Sequence, residues 1–378
     1  MTDPEEYRQR IRAVLADFTP QMADWEATGH LPRELFERLG AAGVYRDRWS
    51  DGPVGGLPLA HVLTTELALA NGGAALAVSL HDEVFVQALH RYGRPRHDAV
   101  LDDALSGTAI GCVAVTEPAG GSDVAGITTR LSMDGDRWRV TGSKRYITNA
   151  GRATHMLVLA RSAPSRAALS LVLVPCDRPG VTVERFFSTL GMRSADTAAI
   201  DLDVEVGPED LVGRPHQGLL MLLRLLDFER IAAATGLVAG ARHALRLTAA
   251  YMRERAQFGT RLFDHQWLRH RLAEHWVEVE AAAAMVDTAS RPVRGDELAH
   301  ERVAAAKLFA GRVCAAAVDQ AIQVFGARGY TTDYPLERLY RDARLTRIGG
   351  GTDEMMREVI AAHLDAEDLE TAKLLAGY

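Results

Sequence analysis

The chain is organised around residues 113–123, which read V-A-V-T-E-P-A-G-G-S-D. A short apolar run typical of a β-strand leads into a turn that contains one proline and two glycines. Glycines let backbone N–H groups come close to a ligand, and the hydroxyls of Thr116 and Ser122 add neutral donors and acceptors. This composition favours a flat heterocycle with a phosphate tail. On its own, a glycine-rich turn after a strand is more often a plain loop.

A second stretch, residues 142–151, reads G-S-K-R-Y-I-T-N-A-G and places an aromatic ring and a threonine beside another glycine turn. Together the two stretches resemble the acyl-CoA dehydrogenase family, whose pattern is T-E-P-x-x-G-S-D followed by G-x-K-x-(aromatic)-I-T-N. The resemblance implies FAD as the cofactor, with Tyr146 against the flavin ring and Thr148 bonded to its edge. The cofactor contacts that it implies in these two stretches are Val113, Val115, Thr116, Gly121, Ser122, Tyr146, Ile147 and Thr148.

Composition bounds the possible functions. The 378 residues are 47% hydrophobic and 25% charged, which is typical of a globular protein with an ample core. The net charge of −7 and the absence of a Lys/Arg block give no sign of a nucleic-acid surface. The N-terminus resembles neither a signal nor a transit peptide, and we find no apolar run long enough to span a bilayer. We therefore expect a cytoplasmic protein with no membrane or nucleic-acid partner.

No metal site is expected either. Three widely spaced cysteines argue against a disulfide framework or a zinc site. The histidines at positions 265, 270 and 275 suggest a cluster, but a spacing of five places them on different faces of a helix.

The hydrophobic period divides the chain into three domains. Residues 1–109 show helical spacing, for example at Ile11, Val14, Leu15 and Phe18. Residues 110–213 alternate with the period of strands, including a predicted hairpin around residues 134–136. Residues 214–378 return to long alanine-rich apolar stripes that predict a four-helix bundle. The fold class is α+β, with the helix–β–helix layout of the acyl-CoA dehydrogenases and a small β-barrel or sheet in the middle.

The C-terminal part continues the resemblance. Residues 253–259 read R-E-R-A-Q-F-G, which by itself indicates a basic helix end followed by a glycine cap. In the family this element reaches the FAD of a neighbouring subunit, so the resemblance implies a homodimer or homotetramer. The family usually has glycine where Ala327 stands in the segment that holds the adenine end. The further cofactor contacts implied here are Arg255, Gln257, Phe258, Gln266, Gln323, Gly326, Thr352 and Glu354.

The catalytic base departs from the commonest family pattern. Many members read I-Y-E-G-T-S-E where residues 348–354 read I-G-G-G-T-D-E, so Gly350 stands in place of the glutamate that removes the α-proton. Long-chain and isovaleryl types carry the base on the first bundle helix, just before an arginine. Residues 226–230 read L-D-F-E-R, which makes Glu229 the candidate base. The resemblance also implies thioester or pantetheine contacts at Ser122, Asp227, Arg230, Gly350 and Gly351.

Two alternatives to Glu229 stay open. A glutamate beside an arginine is often a surface ion pair without catalytic significance. Glu354 is a rival carboxylate, although the family uses that position to contact FAD. The apolar neighbours Phe228, Ile231 and Ala232 favour burial, and burial would raise the pKa of Glu229 toward neutral pH.

The resemblance implies FAD-dependent α,β-dehydrogenation of an acyl thioester to the trans-2-enoyl thioester, with an electron-transferring flavoprotein as the usual acceptor. The thioester carrier is either CoA or an acyl- or aminoacyl-carrier protein of a biosynthetic pathway. An oxidase or a flavin monooxygenase on the same fold, and a non-catalytic subunit, are the remaining alternatives.

Overall fold

The computed structural model describes residues 2–134 and 137–375, and the side chains of residues 2–133 and 137–365. The chain forms two compact units, Met1–Ala232 and Ala233–Tyr378. The first unit contains the N-terminal helices, the sheet and the beginning of one long helix. The second unit contains the remainder of that helix and those that follow it.

The N-terminal region is helical, as the sequence predicts. Ile11, Val14, Leu15 and Phe18 all lie in one buried cluster, which confirms the helical spacing. The helices are α1 (Pro4–Phe18), α2 (Met22–Thr28), α3 (Arg33–Ala41), α4 (Val44–Ser50), α5 (Gly52–Gly55), α6 (Leu57–Ala70), α7 (Gly72–Ser79), α8 (Gln87–Tyr92) and α9 (Asp98–Ser106).

A seven-residue π-helix, Leu80–Val86, separates α7 from α8. His81 within it is fully buried, and burial lowers the pKa of its imidazole to about 4. The backbone N–H of Gly111 donates to its Nδ1 at 3.1 Å, and its Nε2 lies 3.2 Å from the carbonyl oxygen of Ala104. The neutral ring therefore ties the helical region to the first strand of the sheet.

The middle region forms an eight-stranded sheet with the order β6-β7-β3-β2-β4-β5-β8, and β1 pairs with β4 in parallel. Strands β2 and β3 pair antiparallel as predicted, with Asp134 opposite Arg137, while the turn itself lies outside the described residues. The strands are β1 (Gly111–Ala114), β2 (Arg130–Asp134), β3 (Arg137–Ile147), β4 (His155–Arg161), β5 (Leu169–Pro175), β6 (Val181–Phe186), β7 (Ala198–Val206) and β8 (Leu211–Val212).

The C-terminal region is helical, as the sequence predicts. They are α10 (Gly218–Glu254), α11 (Gln266–Ala289), α12 (His300–Phe325), α13 (Leu336–Ala343) and α14 (Asp353–Leu375). Two short hairpins lie beside them, β9 (Ala256–Gln257) with β10 (Thr260–Arg261), and β11 (Pro292–Arg294) with β12 (Glu297–Leu298). Five alanines of α12 are buried, which agrees with the alanine bias, namely Ala304, Ala306, Ala310, Ala317 and Ala321.

One prediction needs correction. Among the described residues, the segment His300–Tyr330 is long and apolar enough to cross a bilayer, with a mean hydropathy of 1.3. Its apolar character comes from the alanines and valines of α12 that pack inside the second unit, and 44% of the window is buried. The core helix of a globular unit passes the same test, so length and composition here are weak evidence for a membrane span.

Candidate active site

The first motif is held from inside by a buried carboxylate. Glu117 accepts hydrogen bonds from the backbone N–H groups of Thr128 at 2.6 Å and Thr129 at 2.9 Å, and from the Thr128 hydroxyl at 2.7 Å. Lys144 adds an ion pair at 3.0 Å. Burial acts to raise the pKa of Glu117, but the hydrogen bonds from Thr129 and Thr128 and the charge of Lys144 lower it to about 2. The carboxylate is therefore a permanent anchor for the turn.

Lys144 joins the two predicted stretches. Its Nζ donates to the carbonyl oxygen of Val115 at 2.9 Å as well as to Glu117, and the side chain is fully buried. Burial lowers the pKa of Lys144 to about 8, so it remains charged at neutral pH. The backbone N–H of Arg145 donates to the carbonyl oxygen of Thr116 at 2.9 Å. Residues 113–123 and 142–151 are thus brought together, as the shared cofactor site requires.

An exposed aromatic ring faces outward from this junction. Tyr146 has a left-handed backbone with φ of +60°, and its side chain is 63% exposed. The ring of Phe187 lies 4.7 Å away between centroids, at an interplanar angle of 38°. Asn149 fixes the following turn, since its side-chain amide donates to the carbonyl oxygens of Ala77 at 2.8 Å and Gly111 at 3.2 Å. Thr148 lies between the exposed ring and this anchor.

The remaining predicted cofactor residues of the first unit differ in what they present. Ser122 and Gly121 are exposed in the turn, while Val113 and Val115 are half-buried. Ile147 packs in the hydrophobic core of the sheet, so only its backbone is available to a ligand. An outward ring, neutral hydroxyls and exposed backbone N–H groups suit a flavin ring with a phosphate tail.

The proposed base lies on α10 in a buried stretch of the first unit. Glu229 is only 6% exposed, and its neighbours Phe228 and Ile231 are also buried. Asp227 and Arg230 form an ion pair at 3.1 Å on the adjacent face, and both side chains are buried. The guanidinium of Arg91 lies 5.7 Å from the centre of the Phe228 ring. Glu229 is therefore a buried group and not part of a solvated surface pair.

In the second unit, the R-E-R-A-Q-F-G element forms a small exposed hairpin. Phe258 and Gly259 have φ of +56° and +78°, which build the tight turn between β9 and β10. The Phe258 side chain is 97% exposed. Arg255 and Gln257 are exposed on the same hairpin, and Gln266 is exposed at the start of α11.

Two of the predicted segments of the second unit are adjacent. Tyr251, one turn before Arg255, stacks on Phe325 with ring centroids 4.1 Å apart and planes inclined by 15°. Phe325 ends α12, between the exposed Gln323 and Gly326. The stacked rings therefore bring the Arg255 hairpin close to the Gln323–Gly326 segment.

The glycine-rich loop before α14 carries the last predicted residues. Gly350 and Gly351 have left-handed φ of +63° and +103°. Arg347 and Asp353 form an ion pair across the loop at 2.8 Å. Thr352 is half-buried and caps α14 through its hydroxyl, which accepts from the N–H of Met355 at 3.3 Å. Glu354 follows on the surface, with a side chain that is 77% exposed.

Comparison with known protein families finds matches to a single family along nearly the whole chain. The N-terminal, middle and C-terminal domain models of acyl-CoA dehydrogenase match residues 2–107, 112–204 and 216–364. The chain belongs to the acyl-CoA dehydrogenase family. This result confirms the predicted family, its helix–β–helix fold and an oxidoreductase of this type. The exact domain boundaries at 109/110 and 213/214 stay a prediction.

Individual relatives span nearly the full length. A probable acyl-CoA dehydrogenase of Bacillus subtilis is 33% identical over 370 residues, covering 94% of this chain and 97% of the relative. An acyl-[acyl-carrier-protein] dehydrogenase of Mycolicibacterium paratuberculosis is 32% identical over 369 residues, covering 94% of each. A glutaryl-CoA dehydrogenase of Mycobacterium smegmatis, solved in complex with FADH2, has a TM-score of 0.86 and 26% identity, covering 94% of each chain. FAD is the cofactor of this family, which confirms the cofactor prediction.

Three functional positions were missed by the sequence analysis. Glu117 and Lys144 belong to the quoted motifs, but their pairing across 27 residues has no local signal. Phe187 lies next to Tyr146 although it is 41 residues later in the chain, and an aromatic residue after a strand does not indicate such a contact. The glutamate and the lysine of the family pattern were the available signals for Glu117 and Lys144.

Proposed function

We propose that this protein catalyses α,β-dehydrogenation of an acyl thioester to the trans-2-enoyl thioester, with Glu229 as the base that removes the α-proton. The observation that carries the proposal is the burial of Glu229 beside Phe228 and Ile231, at a position in the sequence between the paired Asp227 and Arg230. A general base works best when its geometry is fixed, which the helix provides, and when bulk water is excluded, which burial provides.

The rival carboxylate lies in a poor environment for the same task. Glu354 is exposed, and hydrogen bonds from its own backbone N–H and from the Thr352 hydroxyl lower its pKa. A lowered pKa makes a carboxylate a weaker proton acceptor. Its position at the start of α14 suits the contact with FAD that the family resemblance implies.

The chain's other residues would bind and orient the substrate. Ser122, Asp227 and Arg230 are proposed to contact the pantetheine and thioester end, and Gly351 the same end through its backbone. The backbone N–H of Gly350 is proposed to donate to the thioester carbonyl, which makes the α-carbon more acidic. Bound FAD would supply the hydride acceptor for the β-hydrogen, and the Glu229 carboxylate would hold the α-proton.

A second candidate is the same reaction on an acyl group carried by a carrier protein. One relative at 32% identity is named for that activity. The start of α10 also exposes Leu220 and Leu223 next to the arginines at positions 214 and 224. A carrier protein could contact both the exposed leucines and the arginines, whereas the phosphates of CoA would contact only the arginines.

Electron-transferring flavoprotein as acceptor, a homodimer or homotetramer, and a cytoplasmic location complete the proposal. The exposed hairpin with Arg255 and Phe258 supports assembly, because the family resemblance places this element on the FAD of a neighbouring subunit.

An anaerobic titration tests the reaction and its carrier together. Purified holoprotein is mixed with a panel of acyl thioesters of different chain length, each presented on CoA and on a carrier protein, and bleaching of the flavin is followed. Bleaching by at least one thioester is expected, and the faster arm identifies the carrier. Bound FAD that no thioester bleaches would contradict dehydrogenation, and oxygen uptake with NAD(P)H would then favour a monooxygenase.

A further inference from the structure

Lysine is rare in this chain. Only three of its 43 lysine and arginine residues are lysines, at positions 144, 307 and 373. The two whose side chains are described, Lys144 and Lys307, are both buried, at 0% and 2% exposure. Burial of a lysine is costly, and a chain that uses arginine almost everywhere else has kept lysine at these two places. Each of them donates to a backbone carbonyl of a segment that belongs to the proposed site.

Lys307 lies in the first third of α12 and reaches the glycine loop. Its Nζ donates a hydrogen bond to the carbonyl oxygen of Gly351. A guanidinium is planar and larger, whereas a compact ammonium on a flexible stem fits where a single carbonyl must be reached from a packed helix. The choice of lysine at this buried position therefore matches the geometry of the contact.

The loop needs such a contact because its own sequence cannot fix it. Residues 349–351 are three consecutive glycines, and glycine has more backbone freedom than any other residue. Before them, the N–H groups of Ile348 and Gly349 both donate to the carbonyl of Leu345 at 2.8 Å. The Arg347–Asp353 ion pair joins the two sides of the three glycines at 2.8 Å. Lys307 holds the segment between these two anchors.

We infer that Lys307 is a positioning residue that aims the backbone N–H of Gly350 by holding the carbonyl of Gly351. The inference rests on the proposed function, in which that N–H polarises the thioester carbonyl. A hydrogen-bond donor displaced by about 1 Å can cost about a hundredfold in rate.

The test compares Lys307→Met with Arg312→Met, which removes a charged but exposed side chain from the same helix. Lys307→Met is expected to lower kcat about tenfold to a hundredfold with KM nearly unchanged and FAD still bound. In the Glu229→Gln background, the thioester that wild type oxidises fastest is labelled with carbon-13 at its carbonyl. Isotope-edited infrared spectra should show the stretch of the bound carbonyl shifting toward its value in water in the lysine variant only.

Hydrogen exchange gives a readout that needs no substrate. The amide of Gly350 should exchange faster in Lys307→Met than in wild type or Arg312→Met, because opening of the loop is no longer opposed. If Lys307→Met does not fold, Lys307→Gln, a shorter and neutral donor, is measured in the same way and should show smaller changes of the same sign. An unchanged carbonyl stretch together with unchanged Gly350 exchange in a folded variant overturns the inference. If wild type bleaches with no thioester, the proposed function fails, whereas the exchange data still decide whether Lys307 orders the loop.

Discussion

Two groups of cofactor residues differ in how the protein holds them. In the first unit, the segments around Thr116 and Tyr146 are locked together by the buried Glu117–Lys144 pair and by the Arg145–Thr116 backbone bond. In the second unit, Arg255, Gln257 and Phe258 lie on an exposed hairpin, with the Phe258 ring almost fully in solvent. The first group is ordered within its own unit, while the second is an exposed surface that a neighbouring subunit would cover in the proposed assembly. Changes in the first should act at any protein concentration, and changes in the second should depend on concentration.

The largest effect on the reaction rate is expected from Glu229→Gln, a change at a buried residue of the first unit. The change keeps size and hydrogen bonding but removes the acceptor of the α-proton, so flavin reduction should fall about 10²–10⁴-fold. FAD content and thioester binding should be unchanged, and stopped-flow absorbance measures the loss. Glu354→Gln, the same change at the rival carboxylate, is measured with FAD saturating and should lower the rate of flavin reduction far less. If Glu229→Gln reduces flavin at the wild-type rate, Glu354 or a different chemistry becomes the leading explanation.

Lys144→Met tests whether the first group is held by charge. Removal of one partner leaves Glu117 buried without its cation, which should cost about 3–5 kcal/mol of unfolding free energy at every protein concentration. The double variant with Glu117→Gln should recover part of the loss, as a double-mutant cycle by thermal unfolding would show. Because the pKa of Glu117 is about 2 when folded and ordinary when unfolded, its contribution is present above about pH 4.5 and is lost as the pH falls through 2. Equal acid sensitivity of wild type and Glu117→Gln would show that the carboxylate is no anchor.

Arg255→Ala tests the exposed side of the comparison. Loss of a charge-assisted contact to a phosphate should weaken FAD retention by about 1.5–3 kcal/mol, or roughly tenfold or more. The loss should grow on dilution if the contact is made in an oligomer, and light scattering reports the state of assembly. The control is Arg261→Ala, which removes another arginine of the same hairpin. Arg261 pairs with Asp264 at 2.8 Å, so this variant should retain FAD. Unfolding of Arg255→Ala at a much lower temperature with FAD saturating would make Arg255 structural instead.

The smallest effect is expected from Gly350→Glu, which returns a carboxylate to the loop. Because φ at this position is +63°, a side chain there costs about 1–2 kcal/mol of stability. In the Glu229→Gln background it should restore a small part of the turnover, since many family members carry their base at this position. In the wild-type background it should give no gain. Full recovery in the double variant would show that the loop accepts a side chain without strain.

Much of the fold was predictable because its signals are local. The change of hydrophobic period near Gly111 and the alanine stripes after Gly218 each arise from residues a few positions apart. The break at Asn71, whose side chain caps α7 by accepting from the N–H of Ala74 at 2.9 Å, was not predicted within an otherwise continuous apolar run. The cofactor-binding segments were predicted from the family resemblance. The contact of Lys307 with Gly351, 44 residues later, has no local signal in the sequence because tertiary packing creates it.

The π-helix at Leu80–Val86 makes the length of this segment as important as its residues. A π-helix accommodates more residues per turn than an α-helix, so deletion of one residue would return the segment to α-helical winding. One α-helical residue corresponds to about 100° of rotation, which the wider π turn absorbs. An insertion or deletion of one residue in the α-helical turns beside it would not be absorbed, and either His81 would leave the N–H of Gly111 or Leu89 would leave the core.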